Sequence, residues 1–234
     1  MPSFDQIFHY RQVQDAAKSA MARLPALLTT DDSEQSIAQK AHDLLCQSGF
    51  PNTWYYDCPA LVLAGNRSCL SISGKQYQAS AEKLGGKNLI SIDLSPEKDG
   101  IWGDYSRTFA FEFGSYVEQP KTLEYRNGLR FLAQLHEEMM QWLRPEVSFH
   151  QLFQWTNVRI RESGFVNLDF RSNVGHSLEN QRELRQFIQA NNHLALSEVD
   201  FFSFEPFVRL KGGQWGFKHE DIFYFNQAGR LECL

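Results

Sequence analysis

The apolar positions Ile7, Phe8, Val13, Ala16, Ala17, Ala20, Met21 and Leu24 recur at three- and four-residue steps. That spacing predicts an amphipathic helix from Phe4 to about Leu27, with Pro25 near its end. A second helix is predicted over Ser33 to Ser48, with Asp31, Asp32 and Glu34 placed near its start to complement the helix dipole. Between Trp54 and Ile72 the pattern changes to short β-rich pieces such as ALVLAG. From Asn88 the run NLISIDLSPEKDGIWGDYSRTFAFEF reads as two strands around a Pro- and Gly-bearing turn, a long hairpin. Two more helices follow. The first covers about Lys121 to Leu143, with Leu132, Leu135, Met139 and Trp142 in register; the second covers Ser148 to Ser163, capped by Ser148. Past Gly164 short strands return, and FFSFEPFVRL, the Gly212–Gly213 turn and WGFKHEDIFYF read as a second long hairpin. Each hairpin carries an acid on its first strand, then G-I-W-G or G-Q-W-G, then a second acid, so the two halves read as internally related.

No proline-, glycine- or serine-rich stretch divides the 234 residues, and one domain spanning 1–234 is expected. With 42% hydrophobic and 22% charged residues the chain has ordinary globular composition, and its 19 Phe imply broad sheet faces to cover. A formal charge of -5 leaves no basic stripe, which disfavours a nucleic-acid partner. The N-terminus has no basic flank followed by an apolar run, and no stretch approaches ~18 apolar residues, so neither export nor membrane insertion is supported and a cytoplasmic protein is expected. Cys46, Cys58, Cys69 and Cys233 show no C-x-x-C spacing and are read as reduced, buried core thiols.

Four acids conflict with their surroundings. Asp93 ends the run Leu89–Ile92, Asp104 enters the run Tyr105–Phe113, Glu205 follows Phe201–Phe204, and Glu220 precedes Asp221–Phe225. A buried carboxylate without a partner costs several kcal/mol or takes up a proton, and clustering adds mutual repulsion, so convergence of the four demands cations. Arg107, Arg209, Lys211 and Lys218 are available as partners; taken singly, each acid is equally well read as a solvent-facing strand residue or half of a salt bridge.

The ordered set changes that weighing. D-x10-D across a hairpin, then G-H, F-E-P and a final H-E-D resemble the metal signature of the methionine aminopeptidase, aminopeptidase P, prolidase and creatinase family. The likeness covers about Thr53 to the C-terminus and is strongest in IDLSPEKDGIWGDYSRTF, NVGHSLE, LSEVDFFSFEPFVR and GFKHEDIFYFNQAG. It implies an α/β (α+β) pita-bread fold, two pseudo-symmetric halves with a curved antiparallel sheet backed by helices. It also implies two divalent metal ions: Asp93 on one, Asp104 and Glu220 bridging both, His176 and Glu205 on the other. An oxygen-rich set with one imidazole suits manganese, cobalt, iron or zinc. The implied chemistry is hydrolysis of an amide bond in a small peptide or amino-acid-derived substrate, of the aminopeptidase or Xaa-Pro dipeptidase kind, with Glu205 also shuttling the proton from water to the leaving nitrogen.

The departures are specific. Peptidases of the family carry a histidine in the segment matching GNRSCLSISGKQY, where this chain has Ile72 near the expected place, and a second one seven residues past the ligand histidine, where it has Glu183. Ser177 stands where the family usually has a second glycine. These gaps keep two alternatives open: a non-peptidase member of the fold, cleaving C–N bonds of a small metabolite or acting as a lyase, and a catalytically inactive binding protein. Trp54, Tyr55 and Tyr56 are read as core packing first and as an aromatic wall of the entrance second. His9, His42, His136, His150, His193 and His219 have no spacing that ties them to the acids. Homodimer and monomer remain open.

Overall fold

In the computed structural model, which describes residues Met1–Leu234, the helices fall where the periodicity places them. Helix α1 (Phe4–Arg23) opens on a capping box, in which Ser3 Oγ accepts from the Gln6 N–H and the Gln6 side chain accepts from the Ser3 N–H. It tightens into a 3-10 turn at Leu24–Leu27, where Pro25 has no N–H to continue the α pattern. Helix α2 (Glu34–Gln47) is capped the same way by Ser33 and Ser36. The acid at its start serves a different end from the one predicted. Glu34 is buried, and its carboxylate accepts from the backbone of Ala64 and Ser80 and from the Arg67 guanidinium, tying the helix to the neighbouring strand.

The first hairpin pairs Lys87–Leu94 with Tyr105–Glu112 antiparallel, and Ala60–Ala64 and Ser115–Tyr116 extend it on either side. Helices α1 and α2 cover it through Ala17, Met21, Ile37 and Leu45, which pack with Ile90, Ile92 and Phe111. The second half repeats this plan. Helices α3 (Leu123–Trp142) and α4 (Phe149–Glu162, capped by Ser148) bury Leu132, Met139 and Phe149 against Phe204, Phe217 and Phe223 of the second hairpin. The result is the expected α+β arrangement, two related halves of helix pair on antiparallel sheet.

The second hairpin departs from the continuous strands expected of it. Phe202–Phe204 pairs with Asp221–Phe225, whereas Phe207–Leu210 pairs with Gly216–Lys218 and Phe165–Asn167 in another sheet. Pro206 cannot donate to the ladder, which breaks there. Register nevertheless passes through the break unchanged, with Phe204 opposite Asp221 and Phe207 opposite Lys218, so Glu205 lies across from Glu220.

The two hairpins meet along a seam. The Glu220 N–H donates to the Ser106 carbonyl at 2.9 Å, and the Thr108 hydroxyl bonds both the N–H and the carbonyl of Lys218 at 2.8 and 2.9 Å. Arg107 donates to the Glu220 carbonyl at 2.7 Å and holds the Asp221 carboxylate with two bonds of 2.8 and 3.0 Å. No helix is long and apolar enough to cross a membrane. All four cysteines are free, but the expectation of buried core thiols holds only for Cys58; Cys46 is exposed and Cys69 and Cys233 are half-buried.

Candidate functional site

Asp93, Asp104, His176, Glu205 and Glu220 converge on the seam, linked to one another directly or through Lys218. Asp93 sits opposite Ser106, and Asp104 lies two residues before Ser106, immediately ahead of that strand. Its position is fixed from α1. Gln14 is buried, accepting from the Asp104 N–H at 2.9 Å and donating to the Asp104 carbonyl at 2.7 Å. Glu220 is delivered beside Asp104 by its backbone bond to Ser106.

His176 depends on the glycine before it. Gly175 has φ +149°, and a Cβ there would lie 2.1 Å from the Ser203 carbonyl oxygen, so only glycine allows the segment to approach the strand that leads to Glu205. The Ser203 N–H then donates to the His176 carbonyl at 2.7 Å and the Glu205 N–H to the Val174 carbonyl at 2.8 Å. The ring nitrogen Nδ1 lies 2.9 Å from the Ser177 carbonyl, which can only accept, so Nδ1 carries the proton. The free electron pair is therefore on Nε2, which faces Asp104 at 3.4 Å and Glu205 at 3.9 Å.

Asp104 and Glu220 are buried; Asp93 and Glu205 are half-buried. Of the cations available from the sequence, Lys218 reaches into the cluster, at 2.5 Å from Asp93, 2.9 Å from Glu205 and 3.5 Å from Glu220. Arg107 instead serves the neighbouring Asp221. Burial pushes the Asp93 carboxyl up to about 6, with Lys218 opposing and Asp104 reinforcing the shift. Burial raises Glu220 well above the usual carboxylate value, and Asp104 and Glu205 add to it. Glu205 goes the other way: burial is outweighed by Lys218, which holds it low. Burial likewise opposes the Lys218 ammonium, but Asp93, Glu205, Glu220 and Asp104 together hold its value well above that of an ordinary lysine.

Both carboxylate oxygens of Glu220 are buried without a hydrogen-bond donor. The donor atoms of Asp104, His176 and Glu220 lie within 4.8 Å of one another. Orphaned buried oxygens beside an imidazole electron pair and a second carboxylate fit a divalent cation, which would satisfy them at once.

The cluster opens into a cavity of ≈ 430 Å³, whose walls include Trp54, Tyr55, Tyr56, Ile72, Asp169 and Arg185. Ile72 thus occupies the wall where an accessory histidine was sought, and Glu183 is exposed on a 3-10 turn, Arg182–Leu184. Trp54 combines both roles weighed for it. It is buried, stacks on Trp102 with centroids 4.5 Å apart and donates to the Gly103 carbonyl, while its ring edge meets His176 at 5.8 Å.

Two features escaped the sequence reading. Gln14 lies beside Val13 and Ala16 on the helix, with nothing local to mark its partner 90 residues away. His136 and His219, read as unconnected, lie with ring centroids 4.0 Å apart and planes tilted by 32°, and His219 bonds Asp221 at 2.9 Å. With Asp221 they form a second group able to hold an ion, but both Asp221 oxygens are already compensated by Arg107.

The fold is shared with solved structures. It is similar to X-Pro aminopeptidase from Thermotoga maritima (TM-score 0.81, 19% identity), covering 99% of this chain and 61% of that one. It is also similar to prolidase from Pyrococcus furiosus (TM-score 0.80, 18% identity), covering 100% of this chain and 64% of that one. Methionine aminopeptidase from Rickettsia prowazekii matches at TM-score 0.76 and 12% identity, over 100% of this chain and 98% of that one. The chain therefore spans less than two thirds of the first two proteins and nearly all of the third. No curated protein matches it significantly. The model of metallopeptidase family M24 matches residues 9–227, nearly the whole chain, and the chain belongs to that family.

Proposed function

We propose that this chain is a metal-dependent hydrolase that cleaves an amide bond of a small peptide or modified amino acid, in the manner of an aminopeptidase or Xaa-Pro dipeptidase. The observation that carries this reading is Glu220, a buried carboxylate whose two oxygens accept no hydrogen bond and lie close to the donor atoms of Asp104 and His176. Asp93, Asp104, His176, Glu205 and Glu220 would hold the metal. Two ions, as the family resemblance implies, would be held by these same five side chains. Bound divalent ions supply Lewis acidity, polarising a carbonyl and bringing the pKa of a water near neutrality.

The chain's own groups do the rest. The bond from His176 Nδ1 to Ser177 holds the imidazole in the tautomer that presents Nε2. Glu205, kept ionised by Lys218 against the effect of burial, can take the proton of the attacking water at its carboxylate and pass it to the leaving nitrogen. Trp54, Tyr55 and Tyr56 exclude water from one side of the cavity, and Arg185 on its wall offers a positive charge to an anionic end of the substrate.

A second reading, C–N hydrolysis of a small metabolite or a lyase step on the same scaffold, is favoured by one observation: Ile72 puts an apolar group where a proton donor to the scissile carbonyl was expected. One assay separates the two. Protein stripped with chelator and reloaded with manganese, cobalt, ferrous iron or zinc is incubated with dipeptides, Xaa-Pro peptides and acylated amino acids, and products are followed by mass spectrometry. The peptidase reading expects turnover that needs the metal and disappears in Glu205→Gln. Metal-loaded protein that leaves every peptide intact rejects it and favours the second reading.

A further inference from the structure

The cavity is edged by guanidiniums that have no acidic partner. The arginine ion pairs of the chain use Arg67, Arg107 and Arg159, and none involves Arg171, Arg182 or Arg185. Each of these lies instead over an aromatic face: Arg171 over Phe170 at 5.3 Å, Arg182 over Tyr56 at 4.2 Å, and Arg185 over both Trp54 and Phe187 at 5.2 Å. Trp54 and Phe187 in turn meet the His176 ring, with centroids at 5.8 and 5.9 Å, and Arg185 lines the cavity with all three. Arg182 and Arg185 sit on the 3-10 turn Arg182–Leu184 and just past it, and the turn is tied to the aromatic wall by a 2.9 Å bond from Arg182 Nη1 to the Trp54 carbonyl. Arg185 is half-buried, and its one bond within the chain runs from Nε to the Arg182 carbonyl at 2.9 Å. A guanidinium held by its faces and by Nε keeps both Nη groups available, and these form the planar fork that matches a carboxylate.

Arginines placed to neutralise the acidic floor of the cavity would pair with it, as Lys218 does. Left unpaired at its edge, they form a local positive collar on a chain whose formal charge is -5. That collar carries more charge than one carboxylate requires. We propose that the site selects amides of a dicarboxylic amino acid, with one carboxylate gripped by the Nη groups of Arg185 and the other lying in the field of Arg182 and Arg171. This rests on the reading of the cluster as a hydrolase centre and deepens it by naming the substrate class, an acidic dipeptide or an acylated acidic amino acid. The positive edge also draws such anions toward the cavity from solution, an effect that weakens as salt is added.

The manganese-loaded full-length chain is assayed on alanyl-glutamate, alanyl-glutamine and alanyl-glutamine amide, which carry two, one and no carboxylates. Wild type is expected to favour alanyl-glutamate over alanyl-glutamine by at least about tenfold in kcat/KM, and alanyl-glutamine over its amide by a similar factor. Arg185→Gln is expected to bring the three to within about threefold of one another, with the loss appearing in KM. Arg185→Lys should recover only part of the discrimination, since an ammonium lacks the planar fork. Binding is read apart from turnover by calorimetry with glutarate and with the uncharged glutaramide. Glutarate is expected to bind wild type at least about tenfold more tightly than it binds Arg185→Gln, whereas a carboxylate that merely coordinates the metal binds both alike. Equal kcat/KM on alanyl-glutamate and alanyl-glutamine, or a discrimination that survives Arg185→Gln, overturns the proposal and leaves the hydrolase reading standing. Glutarate that binds no better than glutaramide overturns it as well. Glutarate binding that depends on Arg185, with no peptide hydrolysed, sinks the hydrolase reading and leaves the arginines as a dicarboxylate receptor.

Discussion

Replacing Gln14 by leucine removes the clasp that α1 places on Asp104 while preserving size and helix propensity. The substitution strands two buried backbone groups, the Asp104 N–H and carbonyl, which now have partners at 2.9 and 2.7 Å. Each orphaned group costs about 1–3 kcal/mol, giving a loss of roughly 2–6 kcal/mol in unfolding free energy. Asp104 is also freed to move relative to Glu220 and His176, and a supporting contact of this kind is worth about 10–100-fold in ion affinity. Urea unfolding followed by circular dichroism reads the first effect and manganese calorimetry reads the second. Gln14→Glu should fall between, since a carboxylate still accepts from the N–H but repels the carbonyl oxygen. A stability loss below about 0.5 kcal/mol in Gln14→Leu, with ion affinity unchanged, refutes the claim that α1 positions Asp104.

Gly175→Ala forces a Cβ to within 2.1 Å of the Ser203 carbonyl, about 1 Å inside a normal carbon–oxygen contact. It should cost about 2–4 kcal/mol in urea unfolding and weaken ion binding by moving His176; a wild-type midpoint counts against it. Burial, with His219 assisting, lowers His136 to about 3 from 6.5. A histidine whose folded pKa is depressed contributes stability that is complete above its unfolded pKa and is lost as pH falls through the interval, by about 2 kcal/mol at pH 5. His136→Gln should therefore lose less stability than wild type between pH 7 and pH 5; equal losses in chevron or equilibrium unfolding would show that His136 is not the sensor. Ile72→His places a proton donor in the cavity wall and should raise kcat on dipeptides by about tenfold or more in the metal-loaded enzyme, with a kcat at or below that of wild type arguing against a missing hydrogen bond to the scissile carbonyl.

Much of this was written in local pattern. The helices declared themselves by three- and four-residue apolar steps, and Ser3, Ser33 and Ser148 marked their starts by side-chain chemistry that acts within one turn. Acids inside apolar strand runs stood out because burial and charge conflict, and the structure gathers the same residues at one place. The fate of FFSFEPFVRL was legible in part: Pro206 foretold a break, but which sheet each piece would join depends on partners far along the chain. Lys218 could have been placed by alternation, since it shares a strand face with Glu220, yet nothing local says that its ammonium would choose Asp93 over solvent. Gln14 was out of reach altogether, because a hydrogen bond between a helix and a distant strand leaves no periodicity.

The division of the donor set between two halves that meet along a seam of backbone and side-chain hydrogen bonds has a practical corollary. Coordination tolerates displacements of only a fraction of an ångström, whereas helices and sheets survive much larger ones, so occupancy of the site acts as a gauge of how well the halves are aligned. Weakly destabilising changes on the outer helices should thus surface as poorer ion retention while the spectroscopic signature of the fold is still intact.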